Sequence, residues 1–175
     1  IAHEAMNNTF DRTDMGYYAN VNYSSTNFSF SYNRFKPWKS ILRSFNSINL
    51  HYSDNYTTRN RTDLSSNLNC FVLFKNHIAT FFGAGLSPVS SYDYYEPRVE
   101  GRYFRSYEYY YIYGGCSTNY QKRFAADISF NSSNWLKNNI HNFEQGQGYS
   151  VDIKPRFRAN DKLSFSYALN YGYDP

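Results

Sequence analysis

Residues 163–173 read LSFSYALNYGY, and large apolar side chains alternate with small or polar ones along the whole segment. Successive side chains of an extended chain point to opposite faces, so this period of two predicts a strand with one apolar face. Residues 149–157 repeat the pattern, with Pro155 predicted to interrupt the backbone ladder. The turn-forming cluster 159–162 joins the two segments, which together predict an antiparallel hairpin.

The same alternation predicts about eight strands, most of them long enough for the roughly 9–11 residues of a tilted membrane strand. The predicted strands lie near residues 28–33, 48–53, 64–74, 78–86, 107–113, 123–130, 149–157 and 163–173. Upstream of the first, Ala19, Val21 and Tyr23 are out of phase, which predicts a bulge at 24–27.

The predicted connections alternate in length. Short turns fall near 36–40, 75–77, 119–122 and 159–162, and longer loops near 57–62, 89–103 and 132–147. Outer-membrane barrels have short periplasmic turns and long external loops. The fold class predicted is therefore all-β, an antiparallel transmembrane β-barrel, with the visible strands forming part of a larger barrel in the bacterial outer membrane.

The composition favours lipid over a second sheet as the cover of the apolar face. The chain has 20 Tyr and 15 Phe and is 21% aromatic, against 18% charged residues. In a soluble β-sandwich, which is the alternative fold, Tyr107, Tyr109, Tyr111 and Tyr113 would bury their hydroxyls in a dry core. At a lipid interface, the hydroxyls reach headgroups or water.

Each face of the predicted barrel has its own residues. The predicted lipid-facing residues are Tyr149, Val151, Ile153, Phe157, Leu163, Phe165, Tyr167, Leu169 and Tyr171. The predicted lumen-facing residues are Arg123, Asp127, Asp152, Lys154 and Arg156. The expected partners are outer-membrane lipid or lipopolysaccharide, other outer-membrane proteins and glycans. Nucleic acid is not an expected partner. The basic residues behind the net charge of +4 are scattered, and the aromatic residues follow a period of two instead of forming one base-stacking surface.

The loop from Tyr92 to Arg102 contains several acids, bases and tyrosines. Two interpretations apply: a ligand-binding or plug loop whose tyrosines stack on sugar rings, and a structural loop held by Arg–carboxylate pairs, which is favoured. The candidate ligand-binding residues are Asp93, Tyr94, Tyr95, Glu96, Arg98 and Arg102.

No catalytic, cofactor-binding or metal-binding constellation is recognised in the sequence. The four histidines are dispersed, and no phosphate-binding or nucleophile motif is present. Cys70 and Cys116 are interpreted as two independent small side chains in preference to a disulfide. Enzymatic activity is therefore not favoured. The favoured function is that of a membrane anchor, a pore, or an uptake or assembly partner. The alternatives are an outer-membrane hydrolase and a soluble carbohydrate-binding sandwich.

Several motifs resemble one family. These are Asp14-Met15-Gly16-Tyr17-Tyr18, residues 28–32, Phe35-Lys36-Pro37, residues 93–98 and residues 101–104. They resemble Gram-negative outer-membrane proteins with an N-terminal domain like the family-nine carbohydrate-binding modules and a C-terminal barrel of unknown function. The resemblance implies that the N-terminal domain is absent here. The turn-like end Tyr173-Asp174-Pro175 predicts that residues 1–175 are the barrel domain or a fragment of it, with the final strands absent.

Overall fold

The computed structural model describes residues 1–9, 21–94, 97, 99, 101–136 and 146–173. These residues form strands and turns, and none lies in a helix. The strands are β1 Ala2–Met6, β2 Tyr23–Arg34, β3 Ile41–Asn55, β4 Arg61–Phe74, β5 Ala79–Ser87, β6 Ser91–Asp93, β7 Phe104–Ser106, β8 Tyr109–Ser117, β9 Phe124–Trp135, β10 Gly146–Arg158, β11 Ser164–Ser166 and β12 Leu169–Tyr173. No helix of the described chain could span a bilayer.

Ten strands form one antiparallel sheet in the order β1-β2-β3-β4-β5-β8-β9-β10, with β11 and β12 both pairing with the far edge of β10. The remaining two, β6 and β7, pair with each other in the connection between β5 and β8. Each main strand thus pairs with the next main strand along the chain. The predicted all-β antiparallel fold is confirmed, whereas β1 and the β6–β7 hairpin were not predicted.

Pro155 divides the last predicted strand in two. β12 pairs with β10 from Tyr149 to Ile153, and β11 pairs with it from Arg156 to Arg158. Between them, Tyr167 donates its N–H to the Pro155 carbonyl (3.0 Å), but proline has no N–H to return. The predicted interruption of the ladder at Pro155 is therefore confirmed.

The register sorts the side chains into two faces, because directly opposed residues of paired strands point the same way. One row across the sheet is Phe30, Ile48, Leu68, Ala84, Ile112, Ser132, Tyr149 and Tyr173. We call the face that carries this row the apolar face, and the opposite face the polar face. Seven of the nine residues predicted to face lipid lie within strands on the apolar face, while Leu163 and Tyr167 lie beside β11 outside any strand.

Three predictions about individual strands were wrong. Tyr109, Tyr111 and Tyr113 lie on the polar face of β8, and Tyr110 and Ile112 take the apolar face. β2 pairs with β3 without a register shift, so the bulge predicted at 24–27 is absent, and the irregularities lie between β3 and β4 instead. The connection 56–60 is short, because the Asn55 side chain accepts hydrogen bonds from the N–H groups of Thr57 and Thr58 (3.1 and 3.0 Å).

The connections divide between two ends of the sheet. Residues 35–40, 75–78, 118–123 and 159–163 connect strands at one end, which we call the short-turn end. Residues 7–22, 56–60, 88–108 and 136–145 connect them at the other, the long-loop end. Apart from 56–60, the predicted alternation of short and long connections is confirmed.

The sheet is a single open layer in the described residues. β1 pairs only with β2, and β11 and β12 pair only with β10. Among the described hydrophobic side chains, only Met6 and Ala125 are buried. The described residues therefore form no conventional core, and the sheet presents two large surfaces.

Candidate functional site

No described strand covers the apolar face from β2 to β12. Its exposed large side chains include Phe28, Leu50 and Leu86, and their exposed fractions range from 37% at Val151 to 68% at Tyr171. Soluble proteins rarely expose contiguous apolar patches larger than a few hundred Å². An apolar surface that crosses an entire sheet is typical of a face that meets lipid or another protein.

The apolar band runs diagonally across the rows of paired residues. The row through Phe28 is apolar at Leu50 on β3 but polar at Asn134 on β9 and Gln147 on β10. The row through Arg34 is polar at its β2 end and apolar at its other end, where it contains Ile128, Ile153 and Leu169. In a barrel the strands tilt and their register is staggered, so a belt parallel to the membrane has to cross the rows in this way.

The longest apolar strand face has aromatic residues at its ends. On β10, Tyr149 and Phe157 lie on either side of Val151 and Ile153. Eight residue steps span about 27 Å along a strand, which a tilt of about 40° reduces to roughly 20 Å. Together with the side chains beyond the ends, that height is close to the roughly 25 Å apolar band, bordered by aromatic girdles, of transmembrane barrels.

Two neighbouring rows on the polar face contain no charged residue. We call them the neutral rows. They consist of Ser29, Asn49, Asn67, Gly85, Tyr111, Ser133 and Gly148, and of Ser31, Ser47, Asn69, Gly83, Tyr113, Asn131, Ser150 and Gly172. Amide–amide bonds connect them: Asn49 Nδ2 and Asn69 Nδ2 both donate to Asn67 Oδ1, at 2.8 and 3.0 Å. The middle of the polar face is therefore hydrophilic without carrying charge.

Four of the five predicted lumen residues lie within strands on the polar face, on the short-turn side of the neutral rows. Asp127 lies opposite Lys154, and Asp152 and Arg156 share their face, while Arg123 immediately precedes β9. The Asp127 carboxylate accepts hydrogen bonds from the hydroxyls of Ser117 and Tyr120. The hydrogen bond to Asp127 is the main cause of a raised pKa at Tyr120, because it stabilises the protonated phenol.

Tyrosines of β8 cover glycines of β5 on the polar face. A Cβ at Gly83 would lie 2.2 Å from the Tyr113 ring, and one at Gly85 would lie 2.3 Å from the Tyr111 ring. The rings thus occupy the space that side chains at 83 and 85 would fill. Tyr109, Tyr111 and Tyr113 follow one another with ring centroids 6.3 and 6.2 Å apart and planes within 16°, and we call them the tyrosine ladder.

The loop 88–108 is fixed at its base by a polar cluster. Ser90 is 3% exposed, and its hydroxyl donates to Glu108 Oε1 at 2.7 Å. Arg105 donates to the same hydroxyl from Nε (2.9 Å) and Nη2 (2.7 Å), and its guanidinium lies 5.4 Å from the Tyr107 ring centre. Ser87 on the polar face is 1% exposed, so the start of this loop covers that face at the long-loop end.

The six predicted ligand-binding residues are only partly placed. Asp93 pairs with Phe104 in the β6–β7 hairpin, and the Tyr94 ring lies 5.5 Å from that of Tyr103. The exposed Arg102 donates its N–H to the Val99 carbonyl beside Gly101, whose φ is +77°. Tyr95, Glu96 and Arg98 lie outside the described residues. The polar cluster that does form was missed, because Ser90, Arg105 and Glu108 are too far apart in sequence to read as one motif.

The carboxylate of Glu108 gives the loop a pH dependence. Partial burial opposes its ionisation, but hydrogen bonds from Ser90 and the nearby Arg105 outweigh that effect and lower the pKa of Glu108. Because the pKa is lower in the folded state, the ionised group stabilises the loop at neutral pH, and this contribution is lost as the pH falls through the lowered value.

We therefore expect amide exchange at Ser90, whose N–H donates to Glu108 Oε1 (3.0 Å), to accelerate about fivefold on acidification. Hydrogen exchange measured against pH and corrected for the intrinsic rate checks this. Glu108→Gln should remove the acid step, and an unchanged step in that variant would contradict the assignment.

The two cysteines are free, as interpreted from the sequence. Cys70 lies opposite Phe82 and Cys116 opposite Thr80, so strand β5 separates them on the apolar face. Two strand spacings are about 9–10 Å, which exceeds the reach of a disulfide. Among the described residues, no group of three or more His, Cys, Asp and Glu residues is placed to hold a metal ion.

The comparisons identify a family without an assigned activity. No curated protein and no solved structure matches the chain. One sequence family matches residues 1–174, which is almost the whole chain, and its description is a domain of unknown function (DUF5916). The chain belongs to this DUF5916 family.

Proposed function

We propose that the ten-stranded sheet is the membrane-spanning wall of an outer-membrane β-barrel, which acts as an anchor, pore or uptake partner in that membrane. The observation that carries the proposal is the uncovered, diagonal apolar band on one face of the sheet. Hydrocarbon covers such a face without a second protein layer, and the polar face then lines a wet interior.

Backbone pairing supports the closed form of this wall. An open edge within hydrocarbon would leave N–H and C=O groups without partners, each at a cost of several kcal/mol. The free sides of β1 and of β11 and β12 therefore require further pairing in the bilayer. We propose that additional strands complete the barrel there, which agrees with the larger barrel expected from the sequence.

The sorting of connections gives the orientation. The short-turn end would face the periplasm and the long-loop end the exterior, since outer-membrane barrels distribute their connections in this way. The loop 88–108, fixed by Ser90 and Glu108, would then lie at the external mouth. A soluble β-sandwich would instead need a second sheet over the apolar face, and no described strand lies there.

The native cysteines test which face meets lipid. In liposomes, we expect Cys70 and Cys116 on the apolar face to react at least about tenfold more slowly with a charged, membrane-impermeant maleimide than after unfolding in denaturant. Ser133→Cys, made in a chain with both native cysteines replaced by serine, places a thiol on the polar face. It should react quickly in the folded liposome-bound protein.

Two results would contradict the proposal. One is fast labelling of Cys70 and Cys116 in liposomes together with slow labelling at position 133, which would reverse the faces. The other is a folded, monomeric protein that stays in solution without detergent, since the exposed apolar band could not then be facing lipid.

A further inference from the structure

The tyrosine ladder offers ring surface inside a hydrophilic face. Tyr111 and Tyr113 are half-buried, and each rests its phenol end against a glycine of β5. Tyr109 continues the series toward the loop 88–108, where Arg105 lies beside Tyr107. Aromatic rings therefore follow one another from the loop down the polar face of β8.

Hydrogen-bonding groups flank this ladder and retain unused capacity. Tyr113 donates its hydroxyl hydrogen to Asn69 Oδ1 (2.5 Å), which fixes the ring beside the amides of β4. Among the described residues, the side chains of Asn131 and Ser133 on the other flank make no hydrogen bond, although each provides both donors and acceptors. Both flanks thus combine donors and acceptors beside ring surface.

The absence of charged side chains from the neutral rows favours an uncharged ligand. Ionic ligands are selected by charged side chains, which in the described sheet lie in other rows, such as those of Asp127 and Asp152. An uncharged ligand that combines a flat C–H surface with many hydroxyls matches both the tyrosine rings and the hydrogen-bonding side chains beside them. Pyranose rings have that combination, since their C–H faces stack on aromatic rings while their hydroxyls bond to amides.

We propose that the tyrosine ladder and the neutral rows form a binding track for an uncharged oligosaccharide. The track rests on the proposed function, because the polar face becomes the interior of the barrel. Rings spaced 6.2–6.3 Å apart along β8 contact successive sugar units, and the amides and hydroxyls of Asn67, Asn131 and Ser133 bond to their edges.

The test uses the full chain in detergent micelles, titrated with maltohexaose, cellohexaose and xylohexaose by calorimetry. We expect at least one of the three to bind, and Tyr111→Ala to bind it about tenfold more weakly. Tyr110→Ala is the matched control, because it removes the same side chain from the apolar face of the same strand. Tyr110→Ala and Tyr111→Phe should both keep affinity within about twofold of the wild type.

A second variant separates binding from folding, because Tyr111→Ala also uncovers Gly85. Asn131→Leu keeps the side-chain size, covers no glycine and removes hydrogen-bonding capacity, so it should weaken binding about fivefold. Equal losses in Tyr110→Ala and Tyr111→Ala, no effect of Asn131→Leu, or equally tight binding of an oligogalacturonate would overturn the proposal.

Failure to bind any of the three sugars at millimolar concentration would also overturn it. The proposed membrane function would stand in that case, provided that the cysteine labelling pattern is as expected.

Discussion

Gly115→Ala is expected to lower the free energy of unfolding by about 3 kcal/mol, the upper end of the range for overpacking. A Cβ at this position would lie 2.4 Å from the Ile128 carbonyl oxygen on β9 and 2.8 Å from the Phe81 ring on β5. Because the closer atom belongs to a paired backbone, it cannot rotate away, and the β8–β9 ladder would have to shift. Urea unfolding in detergent, followed by tyrosine fluorescence, measures the change.

Two comparisons identify the cause of this effect. Ser129→Ala alters the residue directly opposite Gly115 on β9 and adds no atoms, so it should change stability by less than about 0.5 kcal/mol. The three atoms nearest to a Cβ at Gly83 all belong to the Tyr113 side chain, which can turn aside at the loss of its hydrogen bond to Asn69, so Gly83→Ala should cost less than Gly115→Ala. If the cost at Gly83 equalled or exceeded that at Gly115, the backbone contact would not be the cause.

β10 and β8 show what alternation in the sequence can and cannot predict. On β10, Val151 and Ile153 alternate with Asp152 and Lys154, and this contrast predicted which side chains share a face. On β8, tyrosines occupy positions 109, 110 and 111 in succession, so the side chains on the two faces do not differ in polarity. The faces there are decided by Gly83 and Gly85, which make room for rings only on the polar side.

Prediction of the candidate site from the sequence would also have required the register of the paired strands. The neutral rows consist of residues from seven or eight strands, and no local motif marks them. The connection 56–60 was different, since Asn55 and the positive φ of Arg59 (58°) are features of a tight turn. Attention to Asn55 in the sequence could have predicted the short connection, whereas the partners of Tyr111 required the strand order.

Ile153→Arg is expected to destabilise the membrane-inserted protein by about 2–4 kcal/mol, the cost of an arginine near the bilayer midplane on the lipid face of a barrel. Ile153 lies near the middle of the apolar face of β10, opposite Ile128 and Leu169, and is 38% exposed. Folding into liposomes, measured by reversible denaturant titration, gives the change in free energy.

Ser150→Arg is the matched control, since it places the same charge on the polar face of the same strand. In a water-filled interior the guanidinium remains hydrated, so we expect a cost below about 1 kcal/mol. The difference in cost between the two variants should arise only in the folded protein and only when lipid is present. Equal costs at 150 and 153, or a larger cost at 150, would mean that hydrocarbon does not cover the apolar face, because only burial in hydrocarbon makes the two faces of β10 unequal toward one charge.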